Sequence, residues 1–356
     1  MKRYGNLFRR FISWKNFYAG YEEAEKRKRF RHEILLVANR IDPILKQIIY
    51  EIRTHTWKPH GYRQFIDITD TKRRLINAPA FVDRIVHHAL CRVVDKFFEK
   101  KFINDSFANI NNRGTHKASE RVQEILYKNR NKKMYVLQCD IHHYFASIPH
   151  DKLKQIIRRT IADPEILFVW DTIIDSFSNS PNRGIPIGLL VSQLSANVYL
   201  NVLDHYIKDQ LRVKYYLRYM DDFIIMSDNK KELHEILAKV KVYVEDILGL
   251  SLNPKTRIFS ATQGVDFVGY RIWWYKKLPR KKNIRAAKKR LRKMIKQYNR
   301  EVIDLEKLTQ TFASFYGYMQ HCNGRRTLNT VRRMIKNGIN LREGEEFIDI
   351  YDIEPE

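Results

Sequence analysis

The chain has 356 residues, of which 44% are hydrophobic and 12% aromatic, so it can bury a sizeable core and is not a disordered chain. Its 66 Lys and Arg against 40 Asp and Glu give a net charge of +26. That excess predicts a polyanionic partner, nucleic acid before an anionic membrane. Three scattered cysteines exclude a disulfide framework or a zinc spacing, and no apolar run is long enough to span a membrane. We expect a cytoplasmic protein of one large domain or two to three subdomains.

The N-terminal half is predicted to be mainly helical, with one early hairpin. Residues 1–62 are basic and helical, either as a solvated charged face or as a nucleic-acid contact. Residues 63–79 form two short strands around a polar turn, and residues 81–100 carry apolar side chains at helical spacing. Further helices are predicted over about 117–128, 150–160 and 164–177, and the apolar run 187–211 is predicted to be one long helix.

The C-terminal half begins with a strand over 134–140 and a hairpin whose tip is 219–222. A helix over about 230–248 follows, then strands and turns up to Trp274. Residues 276–300 are predicted to form a dense basic helix, because apolar side chains fall on one face and Lys and Arg on the other. Two more helices are predicted near 305–319 and 327–336.

Two adjacent acids, Asp221 and Asp222, lie between two apolar strands. They form either a solvated polar turn or a metal site, because burying neighbouring carboxylates is costly without a cation. Asp140 ends another strand, and neighbouring strands would bring the three carboxylates together. Carboxylate oxygens suit Mg²⁺, and two such ions can stabilise the attacking hydroxyl and the leaving pyrophosphate of a nucleotidyl transfer.

The chain resembles reverse transcriptases over about residues 60–335. Residues 219–222 (Tyr-Met-Asp-Asp) match the Tyr-x-Asp-Asp motif of that family, and residues 139–148 match its first-carboxylate motif. Further matches occur in family order at residues 72–79, 83–90, 106–114, 255–256 and 267–270. Where most members have Gln-Gly-x-x-x-Ser-Pro, this chain has Ile187-Gly188 and Ser192-Gln193, which resembles the reverse transcriptases of diversity-generating retroelements.

The resemblance implies an α+β fold of the right-hand polymerase type, with fingers, a palm of antiparallel sheet plus helices, and a helical thumb. The expected divisions are a basic N-terminal helical extension (1–62), fingers (63–133 with part of 150–186), palm (134–275), thumb (276–340) and an acidic tail (341–356). The region after Tyr270 suits a thumb and leaves no room for an RNase H, maturase or endonuclease domain.

The implied activity is RNA-directed DNA polymerisation from dNTPs, which copies a retroelement RNA into cDNA with errors at template adenines and so diversifies a target gene. The implied cofactor is a pair of Mg²⁺ ions, with Mn²⁺ as a substitute. The implied partners are template RNA, the RNA/cDNA hybrid and a small basic helical accessory protein that is oligomeric; no membrane is involved. The alternatives are a group II-intron-like or phage-defence reverse transcriptase and a non-catalytic RNA-binding relic.

The resemblance also assigns residues. The metal ligands are Asp140, Asp221, less directly Asp222, and the carbonyl of Ile141, while Lys255 either protonates pyrophosphate or contacts a phosphate. The nucleotide-binding residues are Lys72, Arg74, Phe145, Ile187, Gly188 and Gln193. The nucleic-acid-binding residues are Arg84, Arg113, Tyr219, Met220, Gly269, Tyr270, Arg285, Lys288, Lys289, Arg292, Lys293 and Lys296.

Three further assignments, besides that of Lys255, stay open between two readings. Phe145 is either a steric gate against a ribose 2′-OH or a core residue. Ile187 either lowers fidelity, since it cannot make the hydrogen bond of a Gln, or is simply packed. Arg84 either forms an ion pair or contacts the template.

Overall fold

The computed structural model of the protein describes residues 3–67 and 74–347; of Asp67 and Arg74 only the backbone is described. The chain divides into two compact units. Unit 1 comprises Met1–Gly114 and Leu137–Ile258, and unit 2 comprises Thr115–Val136 and Phe259–Glu356. Each unit has its own core and is described separately below.

Helices dominate the described residues. The α-helices are α1 (Phe8–Phe11), α2 (Trp14–Glu25), α3 (His32–Ala38), α4 (Ile41–Arg53), α5 (Phe81–Glu99), α6 (Thr115–Lys128), α7 (Tyr144–Ser147), α8 (His150–Arg158), α9 (Pro164–Asp175), α10 (Leu190–His205), α11 (Lys230–Val242), α12 (Lys281–Tyr298), α13 (Leu305–Gln320) and α14 (Arg325–Lys336). The helices α10 and α11 continue into single π-helical turns, Tyr206–Gln210 and Tyr243–Ile247.

Three small sheets accompany the helices. The strands are β1 (Tyr62–Asp67), β2 (Arg74–Pro79), β3 (Tyr135–Asp140), β4 (Tyr215–Tyr219), β5 (Asp222–Ser227), β6 (Arg257–Ser260), β7 (Val265–Phe267), β8 (Tyr270–Ile272) and β9 (Lys277–Pro279). Strands β1 and β2 form an antiparallel pair, the central sheet has the order β4-β5-β3-β6, and β7-β8-β9 form a three-stranded antiparallel sheet.

The core of unit 1 is built on α5, which is buried along most of its length and packs closely against α2. The close approach needs Gly20 in α2, because a Cβ there would lie 3.0 Å from the Ile85 carbonyl oxygen and 3.1 Å from the Ala89 nitrogen. The buried Asn16 side chain bridges the same two helices by donating to the Ala89 carbonyl at 2.9 Å. The middle residues of β4 and β5 are buried.

The core of unit 2 is formed by α12, α13 and α14. Apolar side chains at helical spacing on all three helices pack into one cluster. The cluster consists of Leu291, Ile295, Leu308, Phe312, Phe315, Met319, Leu328, Val331 and Ile335, with Tyr298 also buried on α12. The apolar stripe predicted for this basic helix is therefore confirmed at Leu291, Ile295 and Tyr298.

The fold-class prediction is confirmed, since the structure is α+β with antiparallel strand pairs and the predicted hairpins form. The single helix predicted over 187–211 is wrong at its N-terminal end, whereas its C-terminal end is confirmed, because helical structure continues through the π-helical turn Tyr206–Gln210. Gly188 has φ +99°, a conformation that interrupts a right-handed helix, so α10 begins only at Leu190. The basic helix begins at Lys281 rather than Lys276, because Lys277–Pro279 pair with β8. Within the described ranges, no helix is both long and apolar enough to cross a membrane.

Candidate active site

The turn between β4 and β5 carries the two adjacent acids. Tyr219 and Asp222 are the last paired residues of the hairpin, so Met220 and Asp221 form a two-residue loop. Met220 has φ +56°, which residues other than Gly rarely adopt and which hairpin loops of this length require. The turn therefore holds a strained residue beside the acids, a feature that is typical of functional sites.

Asp140 lies beside this turn, because β3 ends next to the beginning of β5. The Ile141 N–H donates to the Asp221 carbonyl oxygen at 3.3 Å. Burial raises the pKa of the thiol of Cys139, the residue before Asp140 on β3, and the negative charges of Asp222 and Asp140 raise it further. The end of β3 and the acidic turn are thus adjacent along the backbone, which agrees with the prediction that their strands are neighbours.

A side chain that sequence reasoning missed holds Asp140 in place. Asn253 donates its side-chain amide to Asp140 Oδ2 at 2.9 Å, and its backbone N–H donates to the Asp140 carbonyl at 2.7 Å. The Asn253 Oδ1 atom accepts from the backbone N–H of Lys255 at 3.1 Å. Asn253 therefore connects the Asp140 carboxylate to the backbone of the exposed Lys255. The role of the Lys255 side chain rests on the sequence resemblance alone.

A buried polar network centred on Arg218 holds the backbone of the Met220 turn. Arg218 and Asp204 are both fully buried, and the guanidinium donates to the carboxylate through Nε at 2.7 Å and Nη2 at 2.6 Å. Its Nη1 donates to Asn197 Oδ1 at 3.1 Å and to the Met220 carbonyl at 3.0 Å. Burial opposes the charge of Arg218, but Asp204 outweighs it, so the pKa of the guanidinium is raised.

The network reaches two further elements. Tyr216 donates its hydroxyl to Asp204 Oδ1 at 2.6 Å, and Asn197 donates its amide to the Ala108 carbonyl at 2.6 Å. Every nitrogen of the Arg218 guanidinium thus has a partner, which is what a buried charge needs to be tolerated. Sequence reasoning misses Arg218, Asp204 and Asn197 as site residues, because α10 carries several other polar side chains and nothing in the local pattern distinguishes Asp204 or Asn197 from them.

The donors at this site suit a hard cation. Mg²⁺ is usually held by one or two carboxylates together with substrate phosphates, and Asp140 and Asp221 offer such carboxylates on adjacent backbone segments. Among residues 3–67 and 74–347, no three His, Cys, Asp or Glu side chains form a group with the spacing of a complete metal site. Two carboxylates suit an ion that takes the rest of its shell from a nucleotide and water.

The aromatic and glycine positions assigned to nucleotide binding lie in the short helix α7 and in the loop before α10, both in unit 1. Phe145 is half-buried in α7, its ring is 5.6 Å from that of Tyr144, and its carbonyl accepts from the Ile185 N–H at 2.8 Å. Ile187 is half-buried and precedes the exposed Gly188. A Cβ on Gly188 would touch only the Ile76 side chain at 3.5 Å, so its importance is its positive φ rather than a lack of space.

A cavity of about 870 Å³ in unit 1 collects several predicted residues. Gly188, Gln193 and Arg84 line it together with the β1–β2 hairpin. Lys28 and Arg31 from the basic N-terminal segment line it as well, and Glu33 is its acidic member. The cavity is therefore a cationic chamber, and the basic N-terminal segment supplies two of its cations. The sequence allows that segment to be either a solvated charged face or a nucleic-acid contact.

Two cavity-lining side chains from α5 carry polar atoms without partners. Arg84 Nη1 and His87 Nε2 are buried and make no hydrogen bond within the described residues. Burial lowers the pKa of Arg84, and burial followed by the nearby His88 and Arg84 charges lowers the pKa of His87 to about 3. The ion pair that one reading gave to Arg84 is not found among the described residues, whereas an anionic ligand would satisfy both groups.

The basic helix α12 presents its cations to solvent. Arg285, Lys289, Arg292, Lys293 and Lys296 are exposed and Lys288 is half-buried. None of these six makes an ion pair with an acid in the part of the chain that the structure describes. Such a surface is available to phosphates.

Three other predicted nucleic-acid residues have structural contacts of their own. Arg113 donates from Nη1 to the carbonyls of Ile103 and Ser106 at 2.6 and 2.7 Å, and so ties down a loop. Tyr270 is fully buried and stacks on Tyr318 at 5.0 Å, while the Gly269 carbonyl accepts from the Tyr318 hydroxyl at 2.6 Å. Lys72 lies outside the described residues, and nothing is described of the Arg74 side chain.

The arrangement of paired carboxylates at a sheet edge and a cationic chamber in the same unit is typical of a template-directed polymerase. Residues 60–272 match the family model described as reverse transcriptase (RNA-dependent DNA polymerase). Because that match covers more than half of the chain, the protein belongs to the reverse transcriptase family.

Several known proteins are similar to this chain. The protein YkfC of Escherichia coli K12 is 26% identical over 250 residues, which cover 59% of this chain and 66% of YkfC. The group II intron-encoded protein LtrA of Lactococcus lactis is 22% identical over 300 residues, which cover 64% of this chain and 49% of LtrA. The chain thus spans less than two thirds of these relatives. Among solved structures, apo telomerase from Candida tropicalis is similar at 12% identity, with a TM-score of 0.49 over 85% of this chain and 65% of that one.

Proposed function

We propose that the protein is an RNA-directed DNA polymerase that copies a template RNA into cDNA. The observation that carries the proposal is the hydrogen bond from the Ile141 N–H to the Asp221 carbonyl, which joins the end of β3 to the acidic turn. Family membership and the cationic cavity support it. A binding module would have no need of three carboxylates at one sheet edge.

The roles of the site residues follow from this proposal. Bound divalent ions would supply charge stabilisation for the attacking hydroxyl and the leaving pyrophosphate. Asp140 and Asp221 would hold them, with Asp222 and the Ile141 carbonyl assisting. Asn253 fixes the Asp140 carboxylate, and the Arg218 network fixes the backbone of the turn, so that neither has to reorganise during reaction. Mg²⁺ is the expected ion, with Mn²⁺ as a substitute.

The remaining site residues would bind substrate. Lys72, Arg74 and Lys255 would contact triphosphate oxygens, and Phe145 would exclude a ribose 2′-OH. Arg84, Gly188 and Gln193 would meet the template or the incoming nucleotide in the cavity that they line.

The second nucleic-acid surface would follow the duplex. The exposed cations of α12 would contact duplex phosphates, with Tyr219, Met220, Arg113 and the segment of Gly269 and Tyr270 supporting the primer-template hybrid. We propose the same division of the chain into N-terminal extension, fingers, palm, thumb and acidic tail, with the boundaries given from the sequence.

We further propose that the enzyme is of the diversity-generating type, with errors at template adenines and a small basic oligomeric accessory protein. The supporting observation is Ile187, half-buried beside Gly188, in place of the usual Gln. An Ile cannot hydrogen-bond the nascent pair, and sites without such bonds discriminate less well. The unpaired cysteines support an intracellular location.

A group II intron-type reverse transcriptase is the second candidate. Its support is the similarity to LtrA, whose name places it with group II introns. The two candidates agree on the reaction and differ in fidelity and in the RNA that is copied.

Primer extension tests the activity. The purified protein is given an RNA template, a DNA primer, Mg²⁺ and dNTPs, beside Asp221→Asn and the exposed-surface control Glu235→Gln. We expect cDNA from the wild type and the control and at least a roughly thousand-fold lower rate from Asp221→Asn. Equal extension by Asp221→Asn would overturn the assignment of the site, and extension on DNA but not RNA templates would overturn the assignment of the template.

Sequencing of the same cDNA separates the two candidates. Errors concentrated at template adenines, and reduced by Ile187→Gln, are the expected result for the diversity-generating type. Uniformly accurate cDNA, or a spectrum that Ile187→Gln leaves unchanged, would favour the group II-like candidate.

A further inference from the structure

Unit 2 carries an exposed aromatic surface that the proposed polymerase function does not use. Three rings form it: Tyr127 near the end of α6, and Trp274 and Tyr275 in the turn between β8 and β9. They are 52%, 45% and 55% exposed, which is high for large aromatic side chains. We call these three residues, with Arg130 and Lys276, the aromatic platform.

The rings of the platform are neighbours in space. The centroids of Tyr127 and Trp274 are 6.5 Å apart, and those of Trp274 and Tyr275 are 5.1 Å apart. A cavity of about 260 Å³ lies between the two chain segments, lined by Arg130, Trp274 and Tyr275 among others. The surface is therefore a continuous patch with a recess rather than three isolated side chains.

The turn that presents Trp274 and Tyr275 is built firmly. The preceding Trp273 donates its indole N–H to the Thr262 carbonyl at 3.0 Å, and its backbone N–H donates to the Lys276 carbonyl at 2.8 Å. Its ring packs on Gly264, where a Cβ would come within 2.5 Å of it. Trp273 thus anchors the turn, so the backbone that carries Trp274 and Tyr275 should lose little conformational entropy when a ligand binds.

Cations are interleaved with the rings. The Arg130 guanidinium lies 4.5 Å from the Tyr127 centroid, and Lys276 Nζ lies 4.9 Å from Trp273 and 5.0 Å from Tyr275. Neither Arg130 nor Lys276 makes an ion pair with an acid in the described part of the chain. Their charges are therefore available to an anionic ligand.

We propose that the aromatic platform binds a short single-stranded RNA segment, with bases stacked on Trp274, Tyr275 and Tyr127 and phosphates on Arg130 and Lys276. Rings that alternate with cations match the alternation of bases and phosphates in a single strand. A duplex keeps its bases stacked inside and offers no face to these rings. The choice of RNA over DNA rests on the proposed function, because the single-stranded partner of that reaction is the template.

Fluorescence anisotropy tests the proposal in the absence of Mg²⁺ and dNTPs, so a failure of polymerisation would not affect it. The protein is first saturated with an unlabelled RNA/DNA hybrid, and a labelled unstructured RNA of about 12 nucleotides is then titrated. We expect Trp274→Ala and Tyr275→Ala each to weaken RNA binding about tenfold, the effect of losing one stacked base. Trp274→Phe keeps a ring and should stay within about threefold of the wild type.

The matched control is Tyr50→Ala, which removes a 63% exposed tyrosine from α4 in unit 1. It should leave RNA binding unchanged, and all variants should bind the hybrid as the wild type does and unfold at similar temperatures. RNA affinity that Trp274→Ala leaves unchanged, or that falls equally in Trp274→Phe, would overturn the proposal. So would a parallel loss of hybrid affinity.

Photocrosslinking locates the RNA directly. RNA that contains 4-thiouridine is irradiated on the hybrid-saturated protein, and the crosslinked peptides are identified by mass spectrometry. Crosslinks at Tyr127 or in the 273–276 turn are expected. Crosslinks confined to other segments would overturn the proposal, and tighter binding of the DNA form of the same 12-mer would overturn the choice of RNA.

Discussion

Two arginines of unit 1, Arg218 and Arg84, differ in the hydrogen-bond partners of their guanidinium groups. Arg218 is completely buried and all its guanidinium nitrogens have protein partners, Asp204 above all. Arg84 is half-buried, and its Nη1 atom is enclosed without a hydrogen-bond partner among the described residues. One cation is satisfied within the fold, and the other is not.

The difference distinguishes a structural charge, that of Arg218, from a charge that is available to a ligand, that of Arg84. A buried charge without partners costs free energy that a bound anion can recover. The Arg218 network stabilises the acidic turn in the free protein. Under the proposed function, a phosphate or a base that enters the cavity would give Arg84 and the neighbouring His87 the partners that they lack among the described residues. The following changes break or sharpen that contrast.

Arg218→Met should have the largest effect. It leaves the Asp204 carboxylate buried without its partner, which should lower the free energy of unfolding by about 3–5 kcal/mol, measured by urea denaturation. The double variant Asp204→Leu with Arg218→Met removes both charges and should recover most of that loss. Its primer extension should stay slow, because the Met220 carbonyl has lost its donor. Wild-type extension by the double variant would show that the network does not position the turn.

Asn253→Ala should come next. Losing the amide that holds Asp140 should lower the apparent affinity for Mg²⁺, or the extension rate, by about 10–100-fold, as is usual for residues that orient a metal ligand. The measurement is the extension rate over a Mg²⁺ titration, with the exposed Asn39→Ala as the matched control. A Mg²⁺ dependence identical to that of the wild type would contradict the role given to Asn253.

His87 should make the protein sensitive to acid. Its folded-state pKa of about 3 lies below the unfolded value of about 6.5, so the unfolded chain binds the proton first and stability falls as the pH drops from 6.5 towards 3. By pH 5 the loss should be about 2 kcal/mol. Urea denaturation of wild type and His87→Leu at pH 7 and pH 5 measures it.

The comparison between wild type and His87→Leu removes the contribution of a second group, whose effect on the pH dependence of stability has the opposite sign. Burial raises the pKa of Asp95 to about 7, and that carboxyl favours the folded state as the pH falls. His87→Leu should therefore lose about 2 kcal/mol less than the wild type over this interval, whereas the exposed His234→Gln should follow the wild type. Equal losses in all three would show that His87 is protonated in the folded protein.

Arg84→Met should have the smallest effect on folding and a clear one on binding. Because Nη1 has no partner to lose, the free energy of unfolding should change by less than about 1 kcal/mol. Affinity for the template-primer hybrid should fall about tenfold, and the salt dependence of binding should become shallower by about one counterion. Arg121→Met, which removes a half-buried arginine paired with Glu124 in unit 2, is the control. A large loss of stability with unchanged binding would make Arg84 a structural residue.

The sequence predicted the elements of the site better than the contacts that support it. The hairpin of Tyr219–Asp222 and the strand ending at Asp140 follow from local pattern, since apolar alternation and adjacent acids are visible within ten residues. The contacts of Asn253 with Asp140 and of Asp204 with Arg218 join residues 113 and 14 positions apart. Nothing in the local pattern distinguishes those side chains from ordinary polar ones.

Helix ends and side-chain orientation were the least predictable. The apolar run after Ile187 has helical composition, but the positive φ of Gly188 delays the helix to Leu190. Tyr270 was assigned to nucleic acid by its motif, and the structure buries its ring against Tyr318. Neither the backbone conformation of Gly188 nor the burial of the Tyr270 ring is visible in the local pattern.

Single-turnover incorporation of one dNTP on a preformed RNA/DNA hybrid tests the central claim most directly. Asp140→Asn and the control Glu235→Gln are compared with the wild type at saturating hybrid and Mg²⁺, and hybrid affinity is measured in parallel. The account predicts that Asp140→Asn loses at least about a thousand-fold in rate while its hybrid affinity stays within about threefold of the wild type. Incorporation by Asp140→Asn within about tenfold of the wild type would contradict the account.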